Sequence, residues 1–383
     1  MYNLTQQDKQ WVNSVWEKLD KKLSGVAVRS RDKIPYTTID GKHDNKDETD
    51  ITWWTNGFWG GMMWLMYEST GNEEYRKTAE NSELMLDNAF IEFDKLHHDV
   101  GFMWHITSGA NYRLTGNVKS RVRNLYAASL LASRYNIDAR FIRAWNGKWG
   151  GLDTSGFSII DCLMNIPLLY WASKEINDDR FKKIAMKHAD MALNDHIRED
   201  GSINHIVEHD TNSTQIIKVH TGQGYNEKSC WSRGLAWAVY GMIISYIHTK
   251  KEDYLKAAIK TADCFIKHCA KTNYRTVVDF YAPQEPAYYD STAGVCTACG
   301  LLELSKYVSQ EDGKRYFDAA IQILKETDKY FCNYDENEDS IVQMGTERYP
   351  LKSNKGLHIP IIYGDFFFVE AMAKLKGREF LIW

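Results

Sequence analysis

Helix-period stretches run along the whole sequence, and they alternate between two kinds. The first kind carries its apolar residues on one face. From Thr5 onward, Trp11, Val12, Val15, Trp16 and Leu19 fall on one side of a predicted helix. Comparable two-faced stretches cover 73–93, 118–135, 180–196, 254–269 and 313–331. The second kind is apolar nearly all round: TNGFWGGMMWLMYESTG, the small and aromatic HHDVGFMWHITSGANYRLTG, SIIDCLMNIPLLYWASKEI, WSRGLAWAVYGMIISYIHT, DSTAGVCTACGLLELSKYV and YGDFFFVEAMAKL. A helix apolar on every side must be surrounded by protein, whereas a two-faced helix lies outside. Six inner helices alternating with six outer ones predict an all-α, closed (α/α)6 toroid, formed as one domain over 1–383. An α-solenoid shows the same alternation but needs a short constant repeat, and the spacing here is irregular.

Three departures from the helical period stand out. Residues 29–51 are polar and rich in turn formers, which predicts a loop. Near 200–225, INHIVEH and TQIIKVH alternate as strands do, predicting a β-hairpin or long ordered loop beside one end of the ring. Pro167 falls inside the apolar 158–173 stretch, where it predicts a kinked helix.

The starts of the inner helices share a regularity. They bear Trp54, Asn56 and Trp59, then His98 and Asp99, then Asp161, then Trp231 and Arg233, then Asp290 and Asp365. In a ring of hairpins all six starts point to one mouth, where acidic and aromatic groups converge. Asp161 is the most telling of these. It is the single acid of SIIDCLMNIPLLYWAS, and in a helix it shares a face with Met164, Asn165 and Leu168. Apolar surroundings penalise its ionised form, and a second carboxylate from Asp99 would repel its charge, so Asp161 is expected to hold a proton near neutrality.

Composition narrows the possible partners. With 47 basic and 51 acidic residues, the net charge of −4 argues against nucleic acid or an anionic membrane. The amino terminus lacks a basic start followed by a long apolar core, and a cytoplasmic location is expected. Seven cysteines scattered through apolar stretches fit reduced thiols. The 13 Trp and 22 Tyr exceed what the core stripes need and fit a carbohydrate ligand, whose C–H face packs on aromatic rings.

Several short motifs lead elsewhere and are set aside. His97-His98-Asp99 suggests a metal, but consecutive helical residues diverge by about 100°, so no metal site is expected. His205-Ile-Val-Glu208-His209 matches a metalloprotease pattern that requires a helix, and this stretch reads as a strand. Cys296 and Cys299 lie in an apolar helix without redox context. Gly222-Gln223-Gly224 completes no phosphate-binding fingerprint. What remains is Asp99, Asp161, Arg233, His205, Gln223 and a set of tryptophans, with Arg233 a permanent cation suited to an acidic sugar.

At these residues, in WWTNGFWGG, HHDVGFMW, DTSGFSIIDCLMNIPLLYWA, HTGQGYNEKSCWSRGLAWAVYG and YGDFFFVEAM, the sequence resembles the unsaturated glucuronyl hydrolases, glycoside hydrolase family 88. The resemblance spans nearly the whole chain and implies the same (α/α)6 toroid. It implies, as substrate, a disaccharide or short oligosaccharide ending in a Δ4,5-unsaturated uronic acid, with no cofactor. It implies Asp161 as general acid and base and Asp99 as the second essential carboxylate. Trp54, Asn56, His98, His205, Gln223, Trp231, Arg233 and Trp237 would line the substrate pocket, and Ser353 and Lys355 would meet the second sugar. Two other readings share the toroid: an unsaturated rhamnogalacturonyl hydrolase acting on pectin fragments, and a sugar-binding toroid without catalysis.

Overall fold

A computed structural model describes residues 4–383. Among these residues are twelve α-helices: α1 (Gln6–Arg29), α2 (Phe58–Thr70), α3 (Glu73–Leu86), α4 (Ser108–Thr115), α5 (Val118–Ser133), α6 (Pro167–Ile176), α7 (Asp179–Met191), α8 (Ser232–Thr249), α9 (Glu252–Cys269), α10 (Ser291–Leu304), α11 (Gln310–Phe331) and α12 (Ile362–Leu375). The even-numbered helices form the inner wall and, except for the short α4, are the apolar ones. Every residue of α10 and α12 is buried, as is α8 from Ser232 to Ser245. The odd-numbered helices bury one stripe, such as Phe181, Ala185, His188 and Ala189 of α7, and expose the opposite face.

Around the inner wall α2 packs on α12, α12 on α10, α10 on α8 and α8 on α6, while α4 and the turn before it join α6 to α2. Helix α1 packs on α12 and α3, so the first and last helices make the sixth hairpin and close the ring. The two layers begin differently. Thr5, Asn72, Asn117, Asp178 and Ser309 cap α1, α3, α5, α7 and α11 by accepting from first-turn N–H groups. No inner helix has such a side-chain cap.

Two apolar stretches are not the single helices that periodicity predicts. Before α4 the chain makes a π-helical turn, Gly101–His105, and His97–Asp99 lie ahead of it outside any helix. The 157–176 stretch divides into a strand (Phe157–Ile159), a 3-10 turn (Ile160–Met164) and α6. Pro167 is therefore the first residue of α6 and not a mid-helix kink; at that position a missing N–H breaks no helical bond. The 200–225 excursion is a β-hairpin, with strands Ile206–His209 and Ile216–His220, and Phe157–Ile159 adds to it as a third strand. Among the described residues all seven cysteines are free, and no helix is long and apolar enough to cross a membrane.

Candidate active site

The three-stranded sheet sets the first contact of the site. Ile159 stands opposite Ile206, and Ile160 N–H donates to the His205 carbonyl at 3.2 Å. That register puts the residues just beyond each strand end side by side, and His205 Nε2 lies 3.6 Å from Asp161 Oδ1. His205 is held in turn by Gln223 N–H, which donates to its Nδ1 at 3.0 Å, and by the Trp231 ring with centroids 4.1 Å apart. A Cβ on Gly222 would stand 2.2 Å from His205 Nδ1, which accounts for the glycine before Gln223.

The second contact joins the two aspartates through Asn165. Its Nδ2 donates to Asp99 Oδ1 at 3.1 Å and to the Asp161 carbonyl at 3.4 Å, while its Oδ1 accepts from Phe102 N–H at 2.8 Å. Helical spacing had placed an amide beside Asp161, and the 3-10 turn keeps it there. Gly101 lets the segments meet, since a Cβ there would come 2.6 Å from Asn165 Cα.

The two carboxyl groups have different surroundings. Asp99 Oδ2 lies 3.0 Å from His97 Nδ1 and 3.3 Å from His98 Nε2. Burial pushes the Asp99 carboxyl up, but the His98 and His97 rings and the Asn165 amide outweigh it and hold the group below the usual carboxylate range. Burial brings the His98 imidazole down to about 4, so it is neutral at physiological pH. Asp99 is thus held ionised at physiological pH. Asp161 Oδ1, by contrast, makes no hydrogen bond to a described residue.

Asp99 and Asp161 line one cavity of about 220 Å³ at the inner-helix starts. Trp54, His98, His205, Gln223 and Arg233 share its wall with Tyr36, Trp53, His97, Trp145, Ile159, Glu347, Arg348 and Tyr363.

No protein-family model matches the chain. The unsaturated glucuronyl hydrolase of Bacillus sp. strain GL1 is 32% identical over 373 residues, covering 94% of this chain and 97% of that one. The chain belongs to the unsaturated glucuronyl hydrolase family. It is likewise 32% identical over 355 residues to the unsaturated chondroitin disaccharide hydrolase of Streptococcus pneumoniae strain R6, covering 90% of this chain and 87% of that one. The crystal structure of an unsaturated glucuronyl hydrolase specific for heparin superposes with a TM-score of 0.84 at 30% identity, covering 97% of this chain and 99% of that one.

In this member of the unsaturated glucuronyl hydrolases, three residues expected in the pocket stand behind its wall. Asn56 is buried, and its Nδ2 donates to the carbonyls of Asp50 at 3.1 Å and Ile51 at 2.9 Å, anchoring the loop before Trp53 and Trp54. Trp237 is enclosed by Phe102, Tyr363 and Phe367. Trp231 backs His205. Ser353 and Lys355 are exposed on a loop that contributes nothing to the cavity wall, and Ser353 Oγ accepts from Lys355 N–H at 3.1 Å.

Arg233 is a buried cation with partners of its own. Its Nη1 donates to Asp290 Oδ2 and to the Thr346 carbonyl, both at 2.6 Å, and its Nη2 to the Glu347 carbonyl at 2.7 Å. The guanidinium stays charged, and Asp290 balances that charge inside the protein. Of the remaining inner starts, Asp365 accepts from Ile341 and Val342 N–H and braces a loop, while Trp59 is wholly buried.

His97-His98-Asp99 is not helical, so its side chains do not diverge as successive helical residues would. Ligand-type atoms of the three residues lie within 4.8 Å of one another. Both imidazoles face the Asp99 carboxylate. In the other pattern, His205 faces Asp161 whereas Glu208 accepts from His220 at 2.7 Å, on a strand rather than a helix.

Proposed function

We propose that this glycosidase removes a Δ4,5-unsaturated uronic acid from the non-reducing end of short, lyase-generated glycosaminoglycan fragments. The observation that carries the reading is the unequal pair: an ionised Asp99 braced by two imidazoles and an amide, and an Asp161 carboxyl oxygen that faces His205 and makes no hydrogen bond to a described residue, both in the same small cavity.

In the substrate, C4=C5 and the ring oxygen form a vinyl ether. Asp161 delivers a proton to C4, and positive charge spreads over C5 and the ring oxygen, near the Asp99 carboxylate. The Asp161 carboxylate then takes a proton from a water molecule as the water oxygen bonds to C5. The resulting C5 hemiketal opens by breaking the bond from C5 to the ring oxygen, which leaves a ketone at C5. C1 becomes a hemiacetal and expels the neighbouring sugar as an alcohol, with one water consumed. Because the chemistry acts at C4 and C5, the carboxyl separation that distinguishes retaining from inverting glycosidases does not govern it. His205, beside Asp161, is placed to orient the carboxyl or the incoming water.

The test is a panel of unsaturated disaccharides from chondroitin, hyaluronan and heparin, sulfated and unsulfated, together with unsaturated rhamnogalacturonan fragments. Turnover is followed by loss of the ultraviolet absorbance of the conjugated C4=C5 bond. Consumption of one or more glycosaminoglycan disaccharides is the expected result. Consumption of only the pectin fragments would transfer the assignment to the rhamnogalacturonyl activity.

A further inference from the structure

One edge of the cavity is the segment 346–349, and its backbone is held along its length. The Thr346 and Glu347 carbonyls accept from Arg233, and the Glu347 carbonyl also accepts from Gln223 Nε2. Glu347 N–H donates to the Gly356 carbonyl and Tyr349 N–H to the Gln223 carbonyl, both at 2.8 Å. The Glu347 carboxylate is occupied by the Tyr36 hydroxyl at 2.5 Å. Within this fixed edge Arg348 is the exception. It lines the cavity, is exposed, and its guanidinium makes no hydrogen bond, ion pair or ring contact with any described residue.

Charge bookkeeping around the cavity gives that guanidinium a role. The wall carries the carboxyl groups of Asp99, Asp161 and Glu347 against the guanidinium groups of Arg233 and Arg348. Arg233 is already compensated by Asp290. An anionic sugar therefore meets a wall whose uncompensated charge is negative except at Arg348. A guanidinium presents two parallel N–H groups that match a carboxylate or sulfate, and the fixed backbone of 346–349 keeps this one at the cavity edge.

We infer that Arg348 is a specificity-determining residue that binds an anionic group of the substrate. This rests on the functional reading above. Two groups offer the required oxygens: the carboxylate present on every unsaturated uronide, and a sulfate ester carried by some neighbouring sugars. In either case Arg348, and not the Ser353–Lys355 stretch, is the cation of this loop region that faces the cavity.

Arg348→Gln and Arg348→Lys, both exposed substitutions, are compared with wild type by steady-state kinetics on sulfated and unsulfated unsaturated disaccharides at low and high salt. KM is expected to rise about 10-fold or more in Arg348→Gln, with kcat changed far less and part of the loss recovered in Arg348→Lys. The wild-type KM should climb with ionic strength and the Arg348→Gln KM should climb less. A rise of equal size on every substrate assigns the partner as the uronate carboxylate; a rise confined to sulfated substrates assigns it as the sulfate. An active wild type with KM unchanged in Arg348→Gln on all substrates overturns this inference alone. A wild type inert across the panel overturns the functional reading, and this inference with it.

Discussion

Five of the six outer helices close their first turn with their own side chain, and none of the six inner helices does. The outer caps satisfy N–H groups locally, at about 1 kcal/mol each. At the inner starts the side chains are committed elsewhere: Asp99, Asp161, Arg233 and Tyr363 to the cavity wall, Asp290 to Arg233, and Asp365 to backbone N–H groups of 341 and 342. One layer has invested its helix ends in stability, the other in a site. Substitutions in the two layers should then separate into those that change turnover and those that change melting.

The largest effect is expected from Asp161→Asn, which should lower kcat by about a thousandfold or more while leaving the thermal midpoint near wild type. Ultraviolet assay and calorimetry on the same preparation check both halves, and full activity would remove Asp161 as the acid. Asn165→Ala tests the link between the aspartates. It should cost about 10- to 100-fold in kcat and, by leaving buried groups unsatisfied, about 1–3 kcal/mol of stability. Because the Asn165 amide is one of the groups that hold the Asp99 carboxyl below its usual range, its loss should also move the acid limb of the pH–rate profile upward.

Smaller effects belong to the outer layer. Burial raises the Asp195 carboxyl, just beyond α7, to about 6. A raised folded-state value means that the protonated form is favoured on folding. Stability from this group is full below the unfolded value near 3.8 and lost as pH rises through 6. Asp195→Asn should therefore raise the melting temperature at pH 8 and leave it nearly unchanged at pH 4, with kcat unaffected. Asn117→Ala, which removes the α5 cap, should cost about 1 kcal/mol and leave KM and kcat alone. A fall in turnover there would blur the division between the layers.

Hydrophobic period exposed most of this architecture, because full burial and one-sided burial write different patterns into a helix. Gly71 ends α2 in a left-handed conformation, the one a glycine adopts without strain. Periodicity failed where the backbone leaves the helix. The turn holding His97–Asp99 and the 3-10 turn holding Asp161 are as apolar as helices, and nothing local distinguishes them except Pro167, whose preference for a first helical turn was the available signal. The wall residues that reading missed, among them Tyr36, Glu347 and Arg348, come from loops whose position depends on contacts hundreds of residues away, such as Tyr36 with Glu347. Two carried a signal. Tyr363 is two residues before Asp365 in an inner-helix start, and Trp145 lies in a glycine- and asparagine-rich stretch where a core tryptophan is out of place. Trp231, Trp237 and Asn56 show the converse: sharing a segment with the site does not put a side chain on its surface.

Because α1 and α12 complete the circle together, the cavity has a seam where the segment after α1 meets the start of α12. Ile362 N–H donates to the Tyr36 carbonyl across it at 2.9 Å, and Tyr36 and Tyr363 stand on its two sides. A ribosome delivers both aspartates long before it delivers Tyr363, so a growing polypeptide carries Asp99 and Asp161 before the far wall of their cavity exists.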